Sequence, residues 1–263
     1  MRAGEAEVRG VMRIRPGIEV AGLSDVGCQR ENNEDYYSYW EPEGDGEFER
    51  LGRLVLVADG MGGYEGGQEA SHLAVETVKE TYSAASQGEP QARLLAGFEA
   101  AHARIRQYAI DHPALHGMGT TCTVAALVEN HLYFAHVGDS RLYLIRDNFL
   151  SRVSHDHSYV SRLVENGVIS SEEAESHPQR HILTAALGAG TEVMPDFPER
   201  PLALQPEDAL VLCTDGLWSV VSEDDIQNTV SQKLPSEACR ELVKRAREAG
   251  GPDNITLQIV RIK

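Results

Sequence analysis

Residues 54–67 read LVLVADGMGGYEGG. An unbroken apolar run ends abruptly at Asp59, a glycine-studded loop follows, and an amphipathic stretch begins after it. Taken alone, Asp-Gly after a β-run is an ordinary hairpin signal. The pattern repeats, however. Residues 132–137 (LYFAHV) run into Gly138-Asp139, and residues 209–214 (ALVLCT) run into Asp215-Gly216. Asp253 adds a fourth case, in a glycine turn just ahead of the apolar stretch 255–262. Four strands that are otherwise apolar each place one carboxylate at an end.

The rest of the chain bounds what those carboxylates can serve. Its 263 residues suit one large domain, and no apolar run approaches the length needed to cross a membrane. Residues 1–17 mix Arg, Glu and Gly and lack the apolar core of a signal peptide, so they read as an N-terminal tail ahead of a domain at 18–263. The formal charge of −17, from 24 basic and 41 acidic residues, argues against a nucleic-acid partner and favours cations. Cys28, Cys122, Cys213 and Cys239 show no C-x-x-C spacing and read as reduced and structural, in keeping with a cytoplasmic protein. The expected state is a monomer with no membrane partner.

Patterning gives the elements. A short strand is expected at 18–23, a turn at Ser24-Asp25-Val26-Gly27, and a polar loop at 30–35 ahead of the aromatic residues 36–40. Residues 42–52 read as an acidic connection and 54–58 as a strand. Helical stripes fall at 68–82 and 91–109, broken by Gly88-Glu89-Pro90. A meander of short antiparallel strands is expected at 121–128, 132–137, 141–145 and 150–153. Residues 158–180 break that rhythm with two short helices, the second opened by the capping box Ser170-x-x-Glu173, and read as a flap. Strands resume at 193–197, 201–204 and 209–213, helices at 222–230 and 235–249, and a strand closes the chain at 255–262. Many strands with two helical pairs indicate α+β, with two sheets packed together and helices outside.

Four ionised carboxylates brought together would repel, and some would be forced to protonate. Divalent cations remove the conflict, and oxygen-only ligands suit hard ions, Mg²⁺ or Mn²⁺. Gly60 is unhindered and offers a backbone carbonyl. Two such ions share a water, lower its pKa and clamp a phosphoryl group for in-line attack. A guanidinium would hold the phosphate oxygens, and Arg30 is available in the cluster with Glu34 and Asp35.

The following residues appear in order: Ser24-Asp25-Val26-Gly27 with Arg30, Asn33-Glu34-Asp35, Val57-Ala58-Asp59-Gly60-Met61-Gly62-Gly63, Gly119-Thr120-Thr121, Val137-Gly138-Asp139-Ser140-Arg141, Asp215-Gly216-Leu217 and Asp253-Asn254-Ile255-Thr256. Over residues 18–262 the chain resembles the metal-dependent type 2C protein phosphatases in their compact bacterial form. The resemblance implies two packed antiparallel β-sheets, a β-sandwich, flanked by helix pairs on both outer faces. It implies hydrolysis of phosphoserine and phosphothreonine by direct attack of a metal-bridging water or hydroxide. By motif position Asp59 would bridge two metals, with Gly60 on one and Asp215 and Asp253 completing the other. Glu34 and Asp35 would hold metal-bound waters, Arg30 would grip the phosphate, and Asp139 with Asp215 would match a third metal. Asn254 would support. Phosphorylated proteins, among them a Ser/Thr kinase and its substrates, are the partners it implies. Met61 departs from many eukaryotic relatives, which carry a His there that has been assigned as general acid. Ser154 stands where Thr is more usual.

Other readings stand beside this one. His155, His157, His177 and His181 bracket the flap and offer a zinc site; alternatively, His155-Asp156-His157 anchors the flap by local hydrogen bonds. A phosphoprotein-binding scaffold without turnover would show a missing metal carboxylate, and none is missing. An enzyme acting on a small phosphorylated metabolite would carry base-stacking or sugar-reading motifs, and none is evident.

Overall fold

In the computed structural model, residues 15–62, 65–85 and 87–263 are described. Most of the expected tail, residues 1–14, and Gly63 of the glycine loop lie outside them. In chain order the elements are β1 (Ile18–Asp25), β2 (Asp35–Trp40), α1 (Asp45–Leu51), β3 (Arg53–Met61), α2 (Glu65–Ala84), α3 (Pro90–Asp111) and β4 (Gly119–Thr120). Then follow β5 (Cys122–Val128), β6 (His131–Val137), β7 (Arg141–Arg146), β8 (Phe149–Arg152), α4 (Tyr159–Glu165), α5 (Ser171–Glu175) and β9 (Leu202–Ala203). The last are β10 (Ala209–Cys213), α6 (Asp215–Trp218), α7 (Glu223–Gln232), α8 (Pro235–Glu248) and β11 (Ile255–Ile262).

The strands form two antiparallel sheets, ordered β1-β11-β10-β7-β8 and β2-β3-β5-β6-β9, with β4 paired to the far end of β3. Alternation along each strand explains how they stack. In β3, Val55 and Val57 join Leu210 and Leu212 of β10 between the sheets, while Leu54, Leu56 and Ala58 face the α2–α3 pair. In β10 and β11, Val211, Cys213, Leu257 and Ile259 face α7 and α8. Each sheet is covered on both faces, so residues 54–58 of β3 and 209–213 of β10 are apolar and buried at every position, which is why the opening run shows no period of two. The fold is the expected α-β-β-α sandwich.

Several local expectations change. The acidic connection contains α1, an element too short for a periodic pattern to reveal. Ser24 and Asp25 remain in β1, paired with Thr256 and Ile255, and the turn begins only where the Gly27 amide donates to Asp25 Oδ1. β3 does not stop before Asp59; Gly60 and Met61 pair with Thr120 and Gly119. The glycine loop is shorter than expected because Gly66 and Gly67 already belong to α2. The meander is split: β5 and β6 lie in one sheet, β7 and β8 in the other, and the chain crosses over at Gly138-Asp139-Ser140. Residues 193–197 form no strand beyond one bridge from Asp196 to His136. Pro195 and Pro198 lack the amide a ladder needs. The capping box at Ser170 and Glu173 is present as expected.

One polar side chain ties the two sheets. Gln258 of β11 is buried, and its amide donates to the Leu56 carbonyl of β3 at 2.7 Å and to the Ser38 carbonyl of β2 at 3.2 Å. Gln258→Leu should cost about 1–3 kcal/mol, the penalty for leaving buried acceptors unmet. The check is a lower urea midpoint with an unchanged m-value.

Candidate active site

The site is assembled where strand ends from both sheets meet. Asp59 stands opposite Asp35 in the β2–β3 ladder. Its carbonyl accepts from the Thr121 amide (2.9 Å) and the Thr120 hydroxyl (2.8 Å), and its own amide donates to Thr121 Oγ1 (2.9 Å). Thr121 Oγ1 also meets Ser140 Oγ at 2.7 Å, which joins the Asp59 strand to the crossover carrying Asp139. That crossover demands glycine: Gly138 has φ +109°, and a Cβ there would lie 2.5 Å from Thr121. The Trp218 indole of α6 donates to the Asp139 carbonyl at 3.0 Å, and the Arg141 guanidinium lies over the same ring while holding Asp156.

Asp215 opens α6 directly after β10, and Asp253 precedes β11. Asn254 organises the loop facing them. Its Oδ1 accepts from the Glu34 amide, and its Nδ2 donates to the carbonyls of Val26 and Asn32. The sequence placed Asn254 in a supporting role, and this clamp is that support.

A cleft of about 820 Å³ is lined by Arg30, Glu34, Asp59, Gly60, Asp139, Asp215 and Asp253. Met61 lines it too, without an exchangeable side-chain proton. Asp35 alone of the expected residues is not on this surface. It lies buried behind the floor, where its Oδ2 accepts from Thr214 Oγ1 at 2.8 Å, and it borders a second cavity beside Tyr36, Tyr37 and His72. Thr214 and Trp218 escaped the sequence reading. Their only signal was adjacency to Asp215, because a side chain that bonds to a residue distant in the chain leaves no pattern in sequence.

The carboxylates are electrostatically crowded. Asp59 is pushed well above the ordinary range by burial and then by Asp35, Asp215, Asp139 and Asp253. Burial raises Asp139 to about 8, with Asp215 adding to it, and raises Asp215 to about 6, with Asp253 adding to it. Burial also raises Asp35, to about 7, although hydroxyl bonds from Thr256 and Thr214 pull it back. Glu34 rises through burial as well. Burial alone would lower Arg30, but the neighbouring Asp253 carboxylate prevails and its pKa rises.

These donors fit hard cations. Asp35 Oδ1 and Asp215 Oδ1 are buried and meet no hydrogen-bond donor, although each belongs to a group that needs partners. Asp253, by contrast, is engaged: Oδ1 accepts from the Asn254 amide and Oδ2 from Arg30 Nη2 at 2.7 Å. Consistent with that, among the described residues no three His, Cys, Asp or Glu side chains form a ready cage for one ion. The flap histidines do not assemble the zinc alternative. His157 Nδ1 accepts from the Gly138 amide, and its Nε2 lies 3.1 Å from Asp196. His177 Nδ1 accepts from Gln179, and His181 lies 3.9 Å from Asp215. The anchoring reading of His155-Asp156-His157 fits these bonds for Asp156 and His157, while His155 is exposed.

A family profile described as protein phosphatase 2C matches residues 29–250. The chain belongs to the protein phosphatase 2C family. It is 36% identical over 248 residues to protein phosphatase PhpP of Streptococcus pneumoniae, spanning 92% of this chain and 97% of that one. The Mycobacterium tuberculosis serine/threonine phosphatase PstP/Ppp has a similar structure, with a TM-score of 0.84 at 34% identity, covering 94% of this chain and 99% of that one. The catalytic domain of the phosphatase PstP, solved in complex with two manganese ions, matches with a TM-score of 0.80 at 32% identity over 94% and 98% of the chains.

Within this protein phosphatase 2C domain the glycines beside Asp59 have a reason the sequence did not show. A Cβ on Gly60 would lie 2.0 Å from the Gly67 carbonyl, and one on Gly67 would lie 2.0 Å from Glu34 Oε2. They let the first turn of α2 press onto the end of β3.

The raised pKa values set a pH dependence for the metal-free protein. Unfolded, these carboxyls titrate near 3.8, and below that both states are protonated. Above it the unfolded chain has released protons that the folded one retains, so stability falls as pH rises, until Asp139 ionises at about 8. In EDTA the thermal midpoint should drop from about pH 5.5 to about pH 8, and Asp139→Asn should flatten the slope. A midpoint rising across that window would contradict the crowding.

Proposed function

We propose that the chain, as one catalytic domain over residues 18–263, hydrolyses phosphoserine and phosphothreonine in proteins with Mn²⁺ or Mg²⁺. The observation that carries this is the convergence of Asp59, Asp139, Asp215 and Asp253 with Arg30 on one cleft, in a member of the protein phosphatase 2C family. The two manganese ions of the PstP catalytic domain support the choice of metal.

Asp59 and the Gly60 carbonyl would hold one ion, and Asp59, Asp215 and Asp253 the other. Asp139 with Asp215 would take a third, and Glu34 would hold a metal-bound water, while Asp35 stays behind the cleft floor. When bound, the ions supply an activated water and neutralise the phosphoryl charge. The chain's own part is positional. Thr120 and Thr121 lock the Asp59 backbone, and Asn254 holds the loop that carries Glu34. Asp253 accepts one hydrogen bond on each oxygen and has lone pairs left for an ion, and Arg30 would turn its remaining donors to phosphate oxygens. The serine or threonine oxygen leaves opposite the attacking water. Met61 cannot protonate it, so that proton comes from water or another cleft group.

The complete carboxylate set supports an enzyme over a scaffold. Four unpaired cysteines, three of them buried, support a reducing compartment such as the cytoplasm. The family supports a Ser/Thr kinase and its substrates as partners, testable by dephosphorylating a panel of autophosphorylated kinases. Exposed large apolar residues scattered over several elements support a monomer, which size-exclusion chromatography checks.

Hydrolysis of p-nitrophenyl phosphate and phosphothreonine peptides should require Mn²⁺ or Mg²⁺ and stop with EDTA. Asp59→Asn should lower kcat by at least about a hundredfold while leaving the circular dichroism spectrum unchanged. Full activity without metal, or in that variant, would sink the mechanism. Arg30→Ala should raise KM for phosphopeptides by roughly tenfold or more, the loss of a charged hydrogen bond. It should also tighten Mn²⁺ binding in calorimetry without substrate, because a positive charge beside the carboxylates is gone.

A further inference from the structure

Besides the carboxylates and Arg30, one stretch of the cleft lining carries Leu183, Ala186, Val193 and Met194, with Arg180, His181 and Glu192 among them. Met194 is 83% exposed, more than any other large apolar side chain among the described residues. Scattered apolar exposure is ordinary, but an exposed thioether on the wall of a reactive cleft is placed to be covered.

The wall is built rather than loose. Leu187 and Thr120 exchange backbone hydrogen bonds of 2.9 and 3.0 Å, and the Gly188 amide donates to His102 Nδ1 of α3 at 3.2 Å. Arg106 of α3 donates to the Thr191 carbonyl at 3.0 Å, and Asp196 and His136 of β6 exchange backbone bonds of 2.9 and 3.0 Å. Pro195 restricts the backbone of Met194 directly. So the segment is pinned on both sides of Met194: Ala185 and Val193 also pack against the core, while Met194 stays exposed at the cleft.

Size points the same way. At about 820 Å³ the cleft has the volume of sites that enclose a drug-sized ligand, far more than a phosphoryl group fills. Taken as equant it is about 9 Å across, the reach of roughly three extended residues. An occupant with its phosphate at the carboxylates therefore lays neighbouring residues against this wall.

We propose that this wall is a subsite for an aliphatic or aromatic side chain of the substrate protein, within about three residues of the phosphorylated serine or threonine, with Met194 as its main contact. The inference rests on the phosphoprotein phosphatase reading above. An acidic side chain against Met194 and Val193 would lose its hydration to apolar groups beside the like charge of Glu192, so it is disfavoured there. Methionine's unbranched, polarisable side chain adapts to several apolar shapes, so the preference is for a class and not for one residue.

The test uses the full chain with Mn²⁺ and phosphothreonine peptides that differ at one position, from three residues before to three after the phosphothreonine. Each position carries Leu, Ala or Glu in turn, and kcat/KM is expressed relative to p-nitrophenyl phosphate. At one position Leu should exceed Glu by about tenfold or more. Met194→Glu should erase that ratio, and Met194→Leu should keep it, with thermal midpoints confirming that both variants fold. Equal rates at every position, or a ratio untouched by Met194→Glu, would overturn the subsite. So would a concentration-dependent dimer abolished by Met194→Glu, because the wall would then be covered by a second copy. If wild-type protein hydrolyses p-nitrophenyl phosphate but shows no peptide preference, only the subsite fails. If it hydrolyses neither substrate, the phosphatase reading fails and the subsite with it.

Discussion

Across the β2–β3 ladder Asp35 stands directly opposite Asp59, two carboxylates where a sheet ordinarily avoids like charge. Asp139, Asp215 and Asp253 lie close enough to push the Asp59 pKa further up. Left to themselves, these groups would hold protons or drive the strand ends apart. Much of the local structure answers that conflict. Thr214 and Thr256 hydroxyls serve Asp35, Thr121 fixes the Asp59 backbone, and Arg30 covers Asp253. The arrangement breaks a local rule of stability at one place, as functional sites do.

The scaffold can hold such a site because its strands are locked on both faces. Val55 and Val57 are buried between the sheets, and Leu54, Leu56 and Ala58 under α2 and α3. β3 therefore has no freedom to slip, since a shift of one residue would exchange its two faces and swing Asp59 out of the cleft. On the other sheet, β10 and β11 are fixed in the same way by α7 and α8, which sets Asp215 and Asp253. Gly138 joins the two halves, carrying the chain between sheets beside Thr121.

Most of this was legible because apolar runs and carboxylates are strong signals. The long strands β3, β5, β6, β10 and β11 and the helices α2, α3 and α8 stand out by length and periodicity. What stayed hidden depends on contacts between distant segments. α1 is too short to show a stripe, and the 193–197 run has strand composition but prolines at 195 and 198. Four consecutive strands looked like one meander, because nothing in a sequence says that the chain changes sheet at Gly138. In the site, the carboxylates that line the cleft could be named from their own strands. The hydroxyls of Thr121 and Thr214 could not, because each matters only through a residue on another strand. Asp35 shows the same limit: nothing in the sequence says that Thr214, from another strand's end, bonds its carboxyl away from the cleft surface.

The Arg30–Asp253 pair links these points. In a cleft this acidic, a guanidinium near the carboxylates does two things. Without a cation it neutralises one of them. Its planar fork, half exposed on the cleft, also has donors left over beside that bond, a geometry that suits a phosphate dianion. A lysine would supply the charge but not the planar fork that grips two oxygens. One side chain thus balances charge among the carboxylates and keeps donors open to the cleft.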